Sequence, residues 1–360
     1  MTGRERILAT LRGEETDRLC WAPLVDAYFT SSLPEQGYEE LSVPDAVRLV
    51  GADVIERHCP TVRQVEDPSI ARRTERRVDG EREIIETSVG NLTIERHSSR
   101  KGHTSYISKH PVVTVEDVRA LQYVKEHTRY VEDFAALRER DRRIGDDGIA
   151  TSSGPTSPIQ EFLQTLCGVQ QTIYLLKDHP DEVETCFEVM HEKNREAYRL
   201  ICEGPAEVVI DYEDTSSTVI SPTFFRKYCA PFIDDYADIC HEAGKIFVTH
   251  MCGKISAFSE QIGAGRQDGV DSVCPPPTGD TWSHEARQAW GPEKVIIGGL
   301  DPPTLERVSA EETREYVASV LDQMPTFRRF ILSTGDATAY RTPVENLRAT
   351  TKIVNNYPWK

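Results

Sequence analysis

Short apolar runs rich in Val and Ile recur along the chain, each followed by a longer segment whose apolar residues repeat at three- and four-residue spacing. The first pattern is that of a strand buried on both faces and the second that of an amphipathic helix, so their alternation predicts βα units on a parallel sheet. Eight such runs are present, near Leu19–Val25, Ala52–Glu56, Gly148–Ser152, Glu207–Asp211, Ile246–His250, Gly269–Val273, Lys294–Gly298 and Arg329–Ser333. Eight units, with no Gly-rich turn after the first, favour a closed (β/α)₈ TIM barrel over an open doubly wound sheet. The helical pattern is clearest over Gly168–Lys177, Pro180–Cys202, Pro222–Ala243 and Ala310–Met324.

The second and third runs are separated by a long stretch from Cys59 to Gly145. Strand-like segments Glu83–Ser88 and Leu92–His97 flank Gly90-Asn91, and helical segments Val115–Glu126 and Arg129–Arg142 follow. This predicts a β-hairpin and helical insertion after strand 2. No internal repeat or Ser/Gly linker breaks the chain, so residues 1–360 read as a single domain.

A hydrophobic share of 38% with 28% charged residues suits a chain that buries a full core. The net charge of −17, with Lys and Arg scattered, argues against a nucleic-acid partner, which would need a concentrated basic face. No stretch approaches the roughly 18 apolar residues of a membrane span, and the opening MTGRERILATLRG has a charged amphipathic pattern rather than that of a signal peptide. The expected location is therefore cytoplasmic, with no membrane partner. Nine unevenly spaced cysteines fit reduced thiols better than a disulfide framework.

Barrel enzymes assemble their chemistry at the C-terminal ends of the strands. Here those ends carry Asp26, Glu56, His58, Ser153, Asp211, Glu213, His250, Cys252, Cys274, Asp301 and Asp336. Any one of these, taken alone, is as well explained as a helix cap or turn residue. His250 and Cys252 stand out, because two residues separated by one position leave a strand end on the same side and can reach one ion. Imidazole nitrogen with thiolate sulfur points to zinc rather than magnesium or calcium. Cys274, ending the next strand, and Asp336, ending the eighth, are candidates to complete the shell; otherwise Cys274 is a small core residue and Asp336 a cap. Glu213 and Asp211 are candidate catalytic carboxylates, and Glu213 could also bind the metal. Trp21, Asp26, Tyr28 and Tyr212 are candidate substrate contacts, with plain barrel packing as the alternative for the aromatics.

Several segments resemble the uroporphyrinogen decarboxylase superfamily. They are Ile220-Ser221-Pro222, His241-Glu242-Ala243-Gly244-Lys245, His250-Met251-Cys252-Gly253-Lys254, Pro275-Pro276-Pro277-Thr278-Gly279-Asp280, Gly298-Gly299-Leu300-Asp301-Pro302 and Thr342-Pro343-Val344-Glu345-Asn346-Leu347. The resemblance implies a (β/α)₈ barrel. True decarboxylases of this superfamily carry an Arg-Gln-Ala-Gly-Arg motif after the first strand to bind substrate carboxylates, where this chain has Val25-Asp26-Ala27-Tyr28-Phe29. The other branch comprises zinc methyltransferases that work with corrinoid proteins, and His250 and Cys252 match its H-x-C pair. Cys274 falls where the similar cobalamin-independent methionine synthase has a carboxylate ligand, and Asp336 where both have a distal cysteine, so the ligand types are exchanged.

The resemblance thus implies methyl transfer between a small methylated substrate and a corrinoid. No D-x-H-x-x-G cobalamin-ligand motif is present, so the corrinoid is expected on a partner protein. The segments Tyr212–Ser216 and Ser333–Thr338 are more similar to O-demethylase methyltransferases, which favours a methyl ether as substrate. The alternatives are a metal-free lyase of the decarboxylase kind and a non-catalytic barrel that binds a corrinoid or tetrapyrrole.

Overall fold

The computed structural model describes residues 1–98 and 105–358. Eight strands form one parallel sheet: β1 (Cys20–Trp21), β2 (Val54–Pro60), β3 (Gly148–Ser153), β4 (Val208–Tyr212), β5 (Ile246–His250), β6 (Gly269–Val273), β7 (Val295–Leu300) and β8 (Phe330–Thr334). Their order is β1-β8-β7-β6-β5-β4-β3-β2, and the Asp53 N–H donates to the Trp21 carbonyl at 2.8 Å between the two end strands. The curled sheet is TIM-barrel-like, and each of the eight predicted runs overlaps one of its strands. β1 shrinks from the predicted Leu19–Val25 because Pro23 has no N–H for the ladder. The Leu24 N–H turns instead to the Thr334 hydroxyl at 3.0 Å.

The chain divides into two compact units. The first comprises Met1–Thr61, Phe134–Ser153 and Pro205–Lys360 and holds the whole parallel sheet. Its core takes alternate residues of the strands, among them Cys20, Ile55, Ile149, Val208, Ile210, Val248, Val295, Ile297 and Ile331. Ile7, Leu8 and Leu11 of the N-terminal helix Gly3–Arg12 pack into the same cluster. Most of these strand residues lie near the strand starts, so the helix closes that end and leaves the C-terminal ends to carry polar groups. The predicted helix Pro222–Ala243 is two helices, Pro222–Tyr228 and Ala230–Glu242, parted at Cys229. Pro231 supplies the reason, because it has no N–H to continue the first helix but suits the opening turn of the second.

The second unit comprises Val62–Asp133 and Gly154–Gly204. Strands Ala71–Arg77, Gly80–Thr87, Gly90–Ser98 and Ser105–Lys109 form an antiparallel sheet in chain order, and Val62–Glu66 pairs with Thr128–Glu132. The helix Val115–Glu126 starts and ends as the sequence suggests. The segment read as helix Arg129–Arg142 instead opens as the strand Thr128–Glu132, and a helix begins at Ala135. Thr128, Tyr130 and Val131 favour the pleated conformation once a partner strand is available.

Candidate metal centre

Tyr212 and His250 end β4 and β5 side by side in register. Beyond Tyr212 the chain turns sharply at Asp214, whose φ of 42° is one that Asp tolerates better than most residues. The Asp214 N–H donates to the His250 carbonyl at 3.2 Å, the Ser217 N–H to the Lys254 carbonyl at 2.9 Å, and the Lys254 N–H to the Ser216 hydroxyl at 3.2 Å. The loop after β4 is thereby clipped onto the loop after β5. Gly253 permits the approach, since a Cβ there would fall 2.4 Å from both the Ser216 Cβ and the Thr215 oxygen.

The clip brings the Asp214 Oδ1 to 3.5 Å from the Cys252 Sγ and 3.9 Å from the His250 Nε2. The ligand-type atoms of Asp214, His250 and Cys252 all lie within 4.8 Å of one another. Burial, and then the charges of Asp214 and Asp336, drive the Cys252 thiol far up. Burial likewise raises the Asp214 carboxyl. A divalent cation relieves both, and nitrogen, sulfur and one carboxylate oxygen form a donor set suited to zinc.

His250 is held from behind. Its Nδ1 lies 2.9 Å from the Asp271 Oδ2 and 3.3 Å from the Ser272 hydroxyl. Arg57 of β2 grips the same carboxylate through Nη2 at 2.9 Å and Nε at 3.2 Å. His250, Asp271 and Arg57 are all buried. Burial alone would raise the Asp271 carboxyl, but Arg57 and His250 together hold it well below the usual range. An ionised carboxylate at Nδ1 favours the proton on that nitrogen and leaves the Nε2 lone pair facing Asp214 and Cys252.

On the β2 side, the ladder with β3 shifts register between Glu56 and Cys59, and His58 occupies the shift with φ 57°. Its N–H donates to the Tyr212 hydroxyl at 3.0 Å. The His58 and Tyr212 rings stack with centroids 3.9 Å apart, and the Tyr212 ring lies 5.2 Å from that of His250.

Of the residues that the sequence suggested, His250, Cys252 and Tyr212 come together. Asp336 and Cys274 stand outside the group of three. Gly335 lets the loop after β8 press on Cys274, where a Cβ would lie 2.7 Å from the sulfur. The Asp336 Oδ1 accepts the Ala337 N–H at 2.7 Å, while its charge still acts on His250, Cys252 and Cys274. Cys274 is buried, and burial pushes its thiol up to about 12.

Asp211 is fully buried, and neither of its carboxylate oxygens has a hydrogen-bond partner among the described residues. Burial, then the charges of Glu213 and Asp214, raise it well above the usual carboxylate range. Strand alternation sets Asp211 on the face opposite Tyr212, away from the centre. Glu213 is buried. Trp21 is wholly buried and donates its indole N–H to the Thr351 hydroxyl of the last helix at 3.1 Å, packing strand against helix. Asp26 caps the short helix Ala27–Thr30, accepting the Phe29 N–H at 2.9 Å, and exposed Tyr28 lies against Tyr340 with centroids 4.8 Å apart.

Three residues of this centre were not singled out from sequence: Asp214, Asp271 and Arg57. The last two did leave a signal, a charge within the strands Val54–Pro60 and Gly269–Val273, where an apolar residue is the rule.

A family model described as uroporphyrinogen decarboxylase (URO-D) matches residues 96–357. No curated protein matches the sequence. Among solved structures, the fold is similar to a methyltransferase from Methanosarcina mazei, with a TM-score of 0.64 and 15% identity over 99% of each chain. It is also similar to a B12-independent methionine synthase from a Shewanella species, with a TM-score of 0.49 and 11% identity over 94% of this chain and 98% of that one. At such identities the likeness is one of fold.

Proposed function

Because the chain belongs to the uroporphyrinogen decarboxylase family, we propose that it turns that family's barrel to methyl transfer at a zinc centre, moving a methyl group between a small methylated substrate and a corrinoid carried on a separate protein. The observation that carries this reading is the group of Asp214, His250 and Cys252, whose ligand-type atoms lie within 4.8 Å of one another. Zinc, when bound, supplies Lewis-acid stabilisation of negative charge on a substrate oxygen or sulfur. His250 offers Nε2, with its ring fixed by Asp271; Cys252 offers a thiolate once its proton is displaced; Asp214 offers Oδ1. Asp336 and Cys274 are proposed for the rim of the centre, with Asp336 nearer in charge.

A donor set with carboxylate in place of a second thiolate leaves a metal more electron-poor, which suits withdrawal of charge from an ether oxygen. The favoured substrate is accordingly a methyl ether. In that reaction the carbon–oxygen bond breaks and a cobalt–carbon bond forms with both electrons from cob(I)alamin, and the freed alkoxide or phenolate takes up a proton from water or Glu213. A decarboxylase reading fares worse at the loop after β1, where Val25-Asp26-Ala27-Tyr28-Phe29 offers no cation to a polyanionic porphyrinogen.

Metal analysis of the purified protein, joined to methyl transfer from methoxylated and thiol-linked donors to cob(I)alamin, tests the proposal. About one zinc per chain, lost in Cys252→Ala together with transfer, is the expected result. Full zinc content in Cys252→Ala, or decarboxylation of uroporphyrinogen at an enzymatic rate, would overturn it.

A further inference from the structure

The second unit holds a cavity of about 300 Å³ that shares no residue with the candidate metal centre. Its floor follows from strand alternation. Ile85, Leu92 and Ile94 share one face of the antiparallel sheet, and Leu121 and Val124, buried on the helix Val115–Glu126, complete the apolar surface. The same sheet face then turns charged, with Arg72 opposite Ile85, Glu83 opposite Ile94 and Arg96 two residues past Ile94. A further wall comes from Glu161, Thr165 and Leu166. There the helix that opens at Pro158 widens into a π turn over Phe162–Leu166, the Cys167 N–H donating to the Phe162 carbonyl five residues back at 2.9 Å. Such turns are rare and are frequent at functional sites.

The charges around this apolar floor are of both signs. Lys125 Nζ meets the two Glu161 oxygens at 2.8 and 3.0 Å, with its side chain only 12% exposed. Burial opposes the Lys125 charge, but Glu161 beside it holds the ammonium above its usual range. Arg72 is committed to Glu66 and Glu83. Arg96 reaches Glu81 and Glu83 only at 3.4 and 3.2 Å, longer than the usual charged bond of about 2.7–2.9 Å. Three cations thus face four carboxylates.

We propose that this cavity binds an aliphatic α-amino acid as its zwitterion, with the side chain on the floor and the two charged groups at the rim. The near-balance of charge leaves no surplus to hold an ion of one sign: a carboxylate alone meets Glu83 and Glu161, and an ammonium alone meets Arg96 and Lys125. A zwitterion avoids both penalties. Its carboxylate can take the loosely held Arg96 and the remaining N–H of Lys125, while its ammonium faces Glu161 and Glu83. The two charges of an α-amino acid stand one carbon apart, which matches the close Lys125–Glu161 pair. Floor residues that are Ile, Leu and Val select an aliphatic side chain.

Calorimetric titration of the full chain with L-leucine, with isocaproate, which lacks the ammonium, and with isopentylamine, which lacks the carboxylate, tests the site. Leucine is expected to bind at least about tenfold more tightly than either. Arg96→Gln should weaken leucine binding about tenfold with the thermal midpoint unchanged, because its ion pairs are long and partly exposed. The double variant Lys125→Met with Glu161→Leu removes both charges together, so that neither is stranded, and should erase the preference for leucine; if it fails to fold, Arg96→Gln still decides. No leucine binding at millimolar concentration, equal affinity for leucine and either single-charge compound, wild-type leucine affinity in Arg96→Gln, or a preference that survives in the folded double variant would each overturn the site.

Discussion

Replacing Asp271 by Asn keeps the shape of the side chain and removes its charge. In the wild type that carboxylate makes three close contacts, to His250 Nδ1 at 2.9 Å and to Arg57 at 2.9 and 3.2 Å, among groups that are all buried. Two consequences follow, and they are separable. First, Arg57 keeps its charge without a counter-charge, and breaking a buried pair from one side costs about 3–5 kcal/mol. Second, the amide fixes His250 less firmly and makes its Nε2 a weaker donor; loss of such a supporting carboxylate typically lowers metal affinity about 10–100-fold, or roughly 1.4–2.7 kcal/mol. A competition titration against a chromophoric zinc chelator reads the second effect and urea unfolding of the zinc-free protein reads the first. The double variant Asp271→Asn with Arg57→Met removes the stranded cation. It should recover much of the stability while zinc affinity stays low. If Asp271→Asn binds zinc with wild-type affinity while losing stability, Asp271 serves Arg57 alone and does not set the His250 tautomer.

Asp214→Ala is expected to weaken zinc binding by well over tenfold and Asp336→Ala by less, because Asp214 alone of the two joins the group within 4.8 Å; the reverse order in the same chelator titration would put Asp336 among the ligands. At the closed end of the sheet, Arg6 reaches Asp53 at 2.5 Å and Asp17 at 2.7 Å with both Arg6 and Asp53 buried. Arg6→Met should cost about 3 kcal/mol in urea unfolding and leave zinc affinity alone, since Arg18 still neutralises part of Asp53. His58 gives a pH dependence: burial, His250 and Arg57 lower its imidazole to about 4 while Asp271 and Asp26 act in the opposite direction. Because the unfolded chain takes up this proton first, near pH 6.5, the site's stabilising contribution is complete above that value and is lost as the pH falls towards about 4. Thermal midpoints across that range should fall less steeply in His58→Asn than in the wild type; parallel curves would show that the imidazole titrates normally.

The strands of the parallel sheet could be read from sequence because most are largely apolar on both faces, which makes them continuous runs between turns, with Arg57 and Asp271 as exceptions. Ala71–Arg77 could not be read this way. Its sequence ARRTERR has no apolar alternation and is largely exposed, and what aligns it is charge across the ladder, such as Arg72 with Glu83 at 2.6 Å. A sheet edge held by ion pairs leaves no hydrophobic period to detect. The strand Thr128–Glu132 was hidden for another reason: it pairs with Val62–Glu66, more than sixty positions earlier, and no local pattern encodes that partner.

The candidate metal centre divides along the same line. His250 and Cys252 are separated by one residue at one strand end, so their spacing alone brings them to one side. Asp214 belongs to another loop, and its entry depends on where that loop folds. The deciding residue is Gly253, whose missing Cβ lets Thr215 and Ser216 lie against the loop after His250, while the Asp214 N–H fastens to the His250 carbonyl. Read in one dimension, Gly253 is an ordinary turn glycine and Asp214 an ordinary loop acid. Cys274 and Asp336 each end a strand, which makes them legible from sequence, and Gly335 does press their two loops together. Asp336 stands outside the group within 4.8 Å, though its charge acts on His250, and the carboxylate that joins His250 and Cys252 is the one whose loop the backbone clip has drawn in.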